Sequence, residues 1–279
     1  MPDWRPLIVR REDGFPRIMG VLNITPDSFF EDSRSNNISE TIKIAESMIQ
    51  NGADWLDIGG ESTRPGANPV KEEEEISRVI PVIRELRKRF PKVGISVDTR
   101  RAKVAALSLE EGADMINDIS ALSDQNMINV VKQSDCCICL MHMKGLPENM
   151  QNNPQYDDVV TEVRRKLNEK VSLLLEEGIN QERIIVDPGI GFGKSLEHNL
   201  LLLKSGREII PLSNIKLMWG VSRKSMFSEL LGRIEARDRL AGTLGIAAMS
   251  KLKAVDIIRV HDVAEHVDLF RAMSAMEDF

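Results

Sequence analysis

"EGADMINDI", residues 111–119, reads as the end of a helix, a turn at Gly112 and a strand that finishes on Asn117 and Asp118. Glycine just past a helix accepts the left-handed conformation that stops it. The phrase returns as "NGADWLDI" at 51–58 and, more loosely, as "EGINQERIIVD" at 177–187. One helix-to-strand turn is being reused, as an architectural rule and not as the trace of a duplicated gene. Outward from these three, the apolar runs "RIMGVL" (17–22), "GISVD" (94–98), "CICLMHM" (137–143), "IKLMWG" (215–220) and "DIIRVH" (256–261) complete a set of eight strand candidates with "DWLDIG" (54–59), "DMINDI" (114–119) and "RIIVD" (183–187).

Helical patterns lie between the strands. "SETIKIAESMIQ" starts at a capping residue, Ser39, and sets Ile42, Ala45 and Ile49 on one face. "EEEEISRVIPVIRELRKRF" is acidic at its start and basic at its end, in line with the helix dipole, with Pro81 as a kink or a break. "DVVTEVRRKLNEKVSLLLEEG" and "RDRLAGTLGIAAMSKLKA" predict longer helices. Eight strand–helix units in 279 residues predict an α/β fold, a (β/α)8 TIM barrel in a single domain over 1–279. A doubly wound open sheet is the alternative, because counting strands does not show closure.

Composition narrows the function. Hydrophobic residues make up 42 % of the chain and aromatics only 4 %, so aliphatic side chains must fill the core. The net charge is −6, with 37 basic against 43 acidic residues, which argues against a general nucleic-acid binder while leaving room for a local basic pocket. "MPDWRPLIVRRED" carries no apolar leader and no run approaches a membrane span, so a cytoplasmic protein without nucleic-acid or membrane partners is the expectation. Cys136, Cys137 and Cys139 have no second Cys or His pair to complete a zinc site and read as thiols packed in a buried strand.

Polar residues gather where the strands end: Asn23, Asp57, Asp98, Asn117, Asp118, His142, Asp187, Ser222, Arg223, Lys224, Arg259 and His261. In a barrel these C-terminal ends share one mouth, where catalytic groups sit. Capping alone does not explain so many, although Asp98 could cap a helix starting near Arg100. "DPGIGFGKS", 187–195, offers a rival reading as a phosphate cradle. A P-loop ending at Gly193-Lys194-Ser195 needs its first glycine at Pro188, which has no N–H to give. The dinucleotide pattern fails at Lys194.

"GVLNITPDSF", "DIGGESTRPGA", "SVDT", "INDIS", "MHMKG", "DPGIGFGK", "GVSRKS" and "RVHDV", in this order, resemble the dihydropteroate synthase family over about 17–263. The resemblance implies a TIM barrel. It also implies joining 6-hydroxymethyl-7,8-dihydropterin diphosphate to 4-aminobenzoate, with release of diphosphate and 7,8-dihydropteroate and with Mg2+ as cofactor. It further implies a bacterial-type cytoplasmic homodimer that sulfonamides target. Carried over residue by residue, it places Asp187 and Asn117 on the polar edge of the pterin and Asp98 on its ring. Arg259 and His261 fall on the diphosphate, Asn23 on the magnesium and Thr63 on the substrate. Lys224 bridges the two substrate sites. Phe29, Arg64, Pro65, Phe192 and Ser225 frame the 4-aminobenzoate pocket.

The chemistry suits these residue types. A flat ring with an amide and an amino group on one edge pairs with a carboxylate and a carboxamide. A multiply charged leaving group needs cations. Residues 259 and 261 are two apart on a strand and project the same way. No Ser–His–Asp or Cys–His nucleophile signature is present, in keeping with a dissociative route. The sequence departs from the family pattern in three places. The first loop, "FFEDSRS", lacks a glycine pair; "RRAKV" lacks a proline after "SVDT"; and Ala254 precedes the last strand where a glycine is usual. A non-catalytic pterin-binding paralogue, a pteridine methyltransferase and a nucleotide hydrolase are the rival functions.

Overall fold

The computed structural model describes residues 3–24, 34–62, 69–145, 150–151, 153–210, 212 and 214–277. Strands β1 (Arg17–Asn23), β2 (Trp55–Gly59), β3 (Gly94–Asp98), β4 (Met115–Asp118), β5 (Cys137–Met141), β6 (Ile184–Asp187), β7 (Lys216–Trp219) and β8 (Ile257–Val260) form a closed parallel barrel in sequence order. β8 returns to β1, with Arg17 opposite Ile257 and Gly20 opposite Val260. This is the expected (β/α)8 barrel, and closure decides against the open sheet. Between and after the strands run helices α1 (Arg34–Gln50), α2 (Glu72–Arg89), α3 (Ala102–Glu110), α4 (Met127–Lys132), α5 (Val159–Glu176), α6 (Leu196–Ser205), α7 (Met226–Leu231), α8 (Leu240–Ala247) and α9 (Val263–Glu277).

The strands read as apolar runs, not alternating ones, because both faces are covered. The outer faces, with Leu56, Ile58, Ile95, Val97, Ile138 and Val186, pack against the helices' Val79, Val82, Leu86, Val163 and Leu174. The inner faces form a separate cluster of Met19, Trp55, Met115, Cys137, Cys139, Ile185, Met218 and Ile257. Trp55 takes up the side-chain space of its neighbour on β3: a Cβ on Gly94 would lie 2.4 Å from the indole ring. The inner cluster continues into Trp4 and Ile8 from the N-terminal segment. The Trp4 indole donates to the Asp135 carbonyl (2.8 Å) and the Trp55 indole to the Leu7 carbonyl (2.8 Å). The N-terminus therefore plugs the end of the barrel opposite the polar strand ends. All three cysteines are free and buried, and burial pushes their thiols up.

Three helices differ from expectation. α1 begins at Arg34, so Ser39 lies inside it and does not cap it; Ile42 and Ala45 are buried as expected, and burial of that face outweighs a single serine's preference for a cap. α2 runs unbroken through Pro81. A mid-helix proline costs about 3 kcal/mol, and the buried row of Val79, Val82, Ile83 and Leu86 on either side offsets it. The long helix predicted over 237–254 divides into a 3-10 turn (Ala236–Arg239), the short α8 and further turns. Here α8 sits close on α7, where a Cβ on Gly242 would come within 2.6 Å of the Phe227 ring. The turns end at Ala254, held in the left-handed region at φ 55°. That is the position where the family pattern has glycine. Among the described residues no helix is long and apolar enough to cross a membrane.

Two substitutions should move stability in opposite directions. Gly94→Ala drives a methyl into Trp55 and should cost about 1–3 kcal/mol. Ala254→Gly relieves a left-handed alanine and should add about 1 kcal/mol. Denaturant titration of both variants checks the signs, and a stabilised Gly94→Ala would contradict the packing described here.

Candidate active site

The strand ends converge at the barrel mouth. Asp57 (β2), Asp98 (β3), Asn117 (β4) and Asp187 (β6) are buried there, with Arg259 (β8) partly exposed. Arg259 lies between two carboxylates: its Nε donates to Asp57 Oδ2 (2.5 Å) and its Nη2 to Asp98 Oδ2 (2.8 Å). Asn117 Nδ2 also donates to Asp57 Oδ2 (3.1 Å). Asp57 Oδ1 and Asn117 Oδ1 are buried and have no hydrogen-bond partner among the described residues. Asp98 is not a helix cap; Asp124 accepts from Ala102 N at the start of α3 instead (2.8 Å).

Burial dominates the electrostatics. It pushes Asp98 up to about 7, opposed by the Arg259 charge and assisted by Asp57 and Glu75. It raises Asp187, opposed by the Gly189 N–H and by Lys224. It lowers Lys224 to about 8, opposed by Asp187. Arg259 is raised: the water it loses at the mouth works against this, and the Asp57 and Asp98 charges outweigh it.

The loop after β6 resolves the phosphate-cradle question. Gly189, Gly191 and Gly193 all have positive φ, at 68°, 81° and 62°. The turn lies flush on the β5 loop: a Cβ on Gly189 would come 1.8 Å from the His142 carbonyl oxygen. Asp187 Oδ1 accepts from Gly189 N (2.7 Å), and Asn199 Oδ1 accepts from Gly191 N (2.7 Å). Lys194 is buried and faces inward, donating to the Phe192 carbonyl (2.9 Å) and lying 3.1 Å from His142 Nδ1. Burial lowers Lys194 to about 7 and His142 to about 3. Ser195 then caps α6 in a capping box with His198. None of these groups is presented to a phosphate.

A cavity of about 270 Å³ opens above Arg259, lined in part by Asn23, Phe192, Lys224, Ser225 and His261. The Lys224 ammonium stands 4.1 Å over the Phe192 ring. His261 Nδ1 meets Ser222 Oγ at 3.0 Å. Asn23, at the end of β1, is exposed. Gly59 leaves a gap beside it, where a Cβ would sit 3.5 Å from Asn23 Oδ1 and 3.7 Å from Asp98 Cβ. Phe29, Thr63, Arg64 and Pro65 lie outside the described residues. The other nine predicted site residues all reach the mouth.

A match to the family described as "Pterin binding enzyme" spans residues 19–261. The dihydropteroate synthase of Escherichia coli strain K12 is 44 % identical over 260 residues, 93 % of this chain and 91 % of that one. The chain belongs to the dihydropteroate synthase family. Among solved structures, the Yersinia pestis dihydropteroate synthase with a sulfonamide drug superposes with a TM-score of 0.88 at 39 % identity, covering 96 % of this chain and 97 % of that one. The Burkholderia cenocepacia dihydropteroate synthase complexed with 7,8-dihydropteroate gives 0.85 at 39 % identity, covering 94 % and 92 %.

Two features of this dihydropteroate synthase site escaped the reading of its sequence. Asp57 stood only among the strand-end acids, with no role, yet it receives both Arg259 and Asn117. Arg259 was expected on the diphosphate, and nothing in the sequence signalled that its Nε and Nη2 would be held by the Asp57 and Asp98 carboxylates. Contacts of this kind join residues up to 202 positions apart and leave no local signal. Gly189→Ala should lower turnover at least about tenfold with the fold retained, because the added methyl displaces the turn that holds Asp187. Unchanged kinetics with native circular dichroism would contradict the close approach.

Proposed function

We propose that the mouth of this barrel joins 6-hydroxymethyl-7,8-dihydropterin diphosphate to 4-aminobenzoate, giving 7,8-dihydropteroate and diphosphate. One observation carries the reading: the Arg259 bridge puts a buried acceptor set and a cationic rim at a single mouth. Asp187 and Asn117 offer carboxylate and amide oxygens to a donor-bearing ring edge in a dry pocket. Such a set rejects rings that lack the donors. Lys224, Arg259 and His261 lie toward the cavity and take the diphosphate side, where fixed cations favour a leaving group that gains charge.

The C–O bond breaks with its electron pair leaving on the diphosphate, and Asp98 stabilises the positive charge on the pterin methylene. The aniline nitrogen of 4-aminobenzoate supplies the pair for the new C–N bond and then gives up one proton to water. Lys224, its stem against Gly191 and its ammonium over Phe192, separates the two substrate sites, with Phe192 and Ser225 on the 4-aminobenzoate side. Phe29, Thr63, Arg64 and Pro65 complete the proposal from the resemblance alone. No nucleophilic side chain is required.

The residues present suit Mg2+. Among the described residues no group of three or more His, Cys, Asp or Glu could hold a metal, which disfavours a protein-only cage. Asn23 Oδ1 stands at the mouth beside the gap left by Gly59, and one amide oxygen fits an ion that takes its other ligands from water and phosphate. When bound, Mg2+ would neutralise charge on the diphosphate. A homodimer in the cytoplasm is proposed with this function. Leu201 on α6, Leu231 on α7 and Met249 after α8 are exposed apolar side chains that a partner subunit would cover. Sulfonamides, as arylamine mimics of 4-aminobenzoate, would compete for its site.

A pteridine methyltransferase has no use for the cationic rim, and a non-catalytic paralogue would not need it intact. Diphosphate release that requires both substrates supports the synthase; release of phosphate from ATP would overturn it. Lys224→Ala and Asp187→Asn should each cut turnover at least about a hundredfold, the scale of one preorganised electrostatic contact. Because Asp98 must be ionised and is held up to about 7, kcat/KM for the pterin diphosphate should fall as pH drops through about 7. That limb should vanish in Asp98→Asn. A rate profile flat from pH 8 to pH 5, a range of about three units around that value, would contradict the role given to Asp98.

A further inference from the structure

We propose that Asp57, at the end of β2, is the positioning residue that locks Arg259 and Asn117 into one unit and thereby decides which face of the Asn117 amide the pterin meets. The inference rests on the pterin-site reading above. Asp57 is fully buried. Its Oδ2 receives Arg259 Nε at 2.5 Å and Asn117 Nδ2 at 3.1 Å, from strands β8 and β4 on either side of it. No part of the substrate-binding set assigned above includes it.

The consequence follows from donor and acceptor inventory. A carboxamide can turn either its oxygen or its NH2 toward a ligand. A carboxylate only accepts, so Asn117 must turn its NH2 to Asp57 and keep Oδ1 for the pocket. That Oδ1 is buried without a partner among the described residues, so the site reads an N–H donor on the ligand at this point, and a ring acceptor there would face oxygen against oxygen. The same Oδ2 orients Arg259. With Nε on Asp57 and Nη2 on Asp98, the guanidinium plane is fixed by two carboxylates, and Nη1 is the nitrogen left without one among the described residues. Arg259 is thus aimed before any substrate arrives, which spares the reorganisation that a freely turning arginine would require.

The test is steady-state kinetics and equilibrium binding of Asp57→Asn and Asp57→Ala, with 6-hydroxymethyl-7,8-dihydropterin diphosphate and 4-aminobenzoate as probes. Both variants should weaken pterin diphosphate binding at least about tenfold, the scale of one buried charge-assisted hydrogen bond. KM for the pterin diphosphate should rise in parallel while KM for 4-aminobenzoate stays within about twofold, the size of effect expected at a site whose contacts are untouched. A fall in kcat with both KM values and pterin affinity unchanged would mark a purely structural residue and overturn the proposal, as would wild-type behaviour. Wild-type protein that fails to bind the pterin diphosphate at all would instead overturn the site reading. If the variants do not fold, a crystal structure of the wild-type protein with the pterin diphosphate decides. Asn117 Nδ2 should remain on Asp57 with Oδ1 on a ligand N–H, and Arg259 released from Asp57, or a ligand acceptor opposite Asn117, would sink the idea.

Discussion

β8 hydrogen-bonds to β1, and this pairing brings Arg259 within reach of an aspartate 202 residues earlier. Without it, β2 and β3 would end beside each other but not beside β8, and Asp57 and Asp98 would share a carboxylate pair with no cation between them. Closure leaves no sheet edge to cover. It also turns eight separate strand ends into one rim. Every described group assigned to the site uses that rim, while the opposite end is sealed by Trp4 and Ile8 against the inner core.

The rim concentrates charge that burial disfavours. Asp98 and Asp187 are both held above the usual carboxylate range, while Lys224 and Lys194 are both held below the usual ammonium range, in each case with burial as the largest cause. Opposite charges only partly offset this. A site in that condition gains by taking up a ligand that brings both donors and negative charge, which is the character of a pterin diphosphate. The mouth is costly when alone and complementary when filled, a pattern common where pKa values are strongly perturbed.

Much was legible in the residues because the fold reuses one local device. The helix–glycine–strand turn at Gly112 repeats at Gly52 and Gly178, all three at positive φ, with the strand following at Met115, Trp55 and Ile184. Strand ends were legible too, since Asn23, Asp98, Asp187 and Asn117 are polar residues closing apolar runs. Helix starts were less so. A serine that could cap at 39 proved internal, because burial of the Ile42 face outweighs capping preference, and Pro81 proved tolerable for a similar reason. The glycine loop at 187–195 was partly legible: Pro188 argued against a nucleotide cradle, and the geometry then showed Lys194 turned inward.

What the sequence determined by itself is the alternation of elements, the chemical kind of each strand end, and the family to which these motifs in this order belong. Those properties reside in neighbouring residues, where backbone geometry and side-chain type act over a few positions. Tertiary structure alone decided which of the strand-end groups touch. That Asp57 takes both Arg259 and Asn117, that Arg259 spends its fork on carboxylates, and that Lys194 reaches His142 depend on closure and on side-chain reach between strand ends. Hydrogen bonds of about 3 Å leave no periodicity in a chain whose partners stand scores or hundreds of residues apart, so only the folded barrel could reveal them.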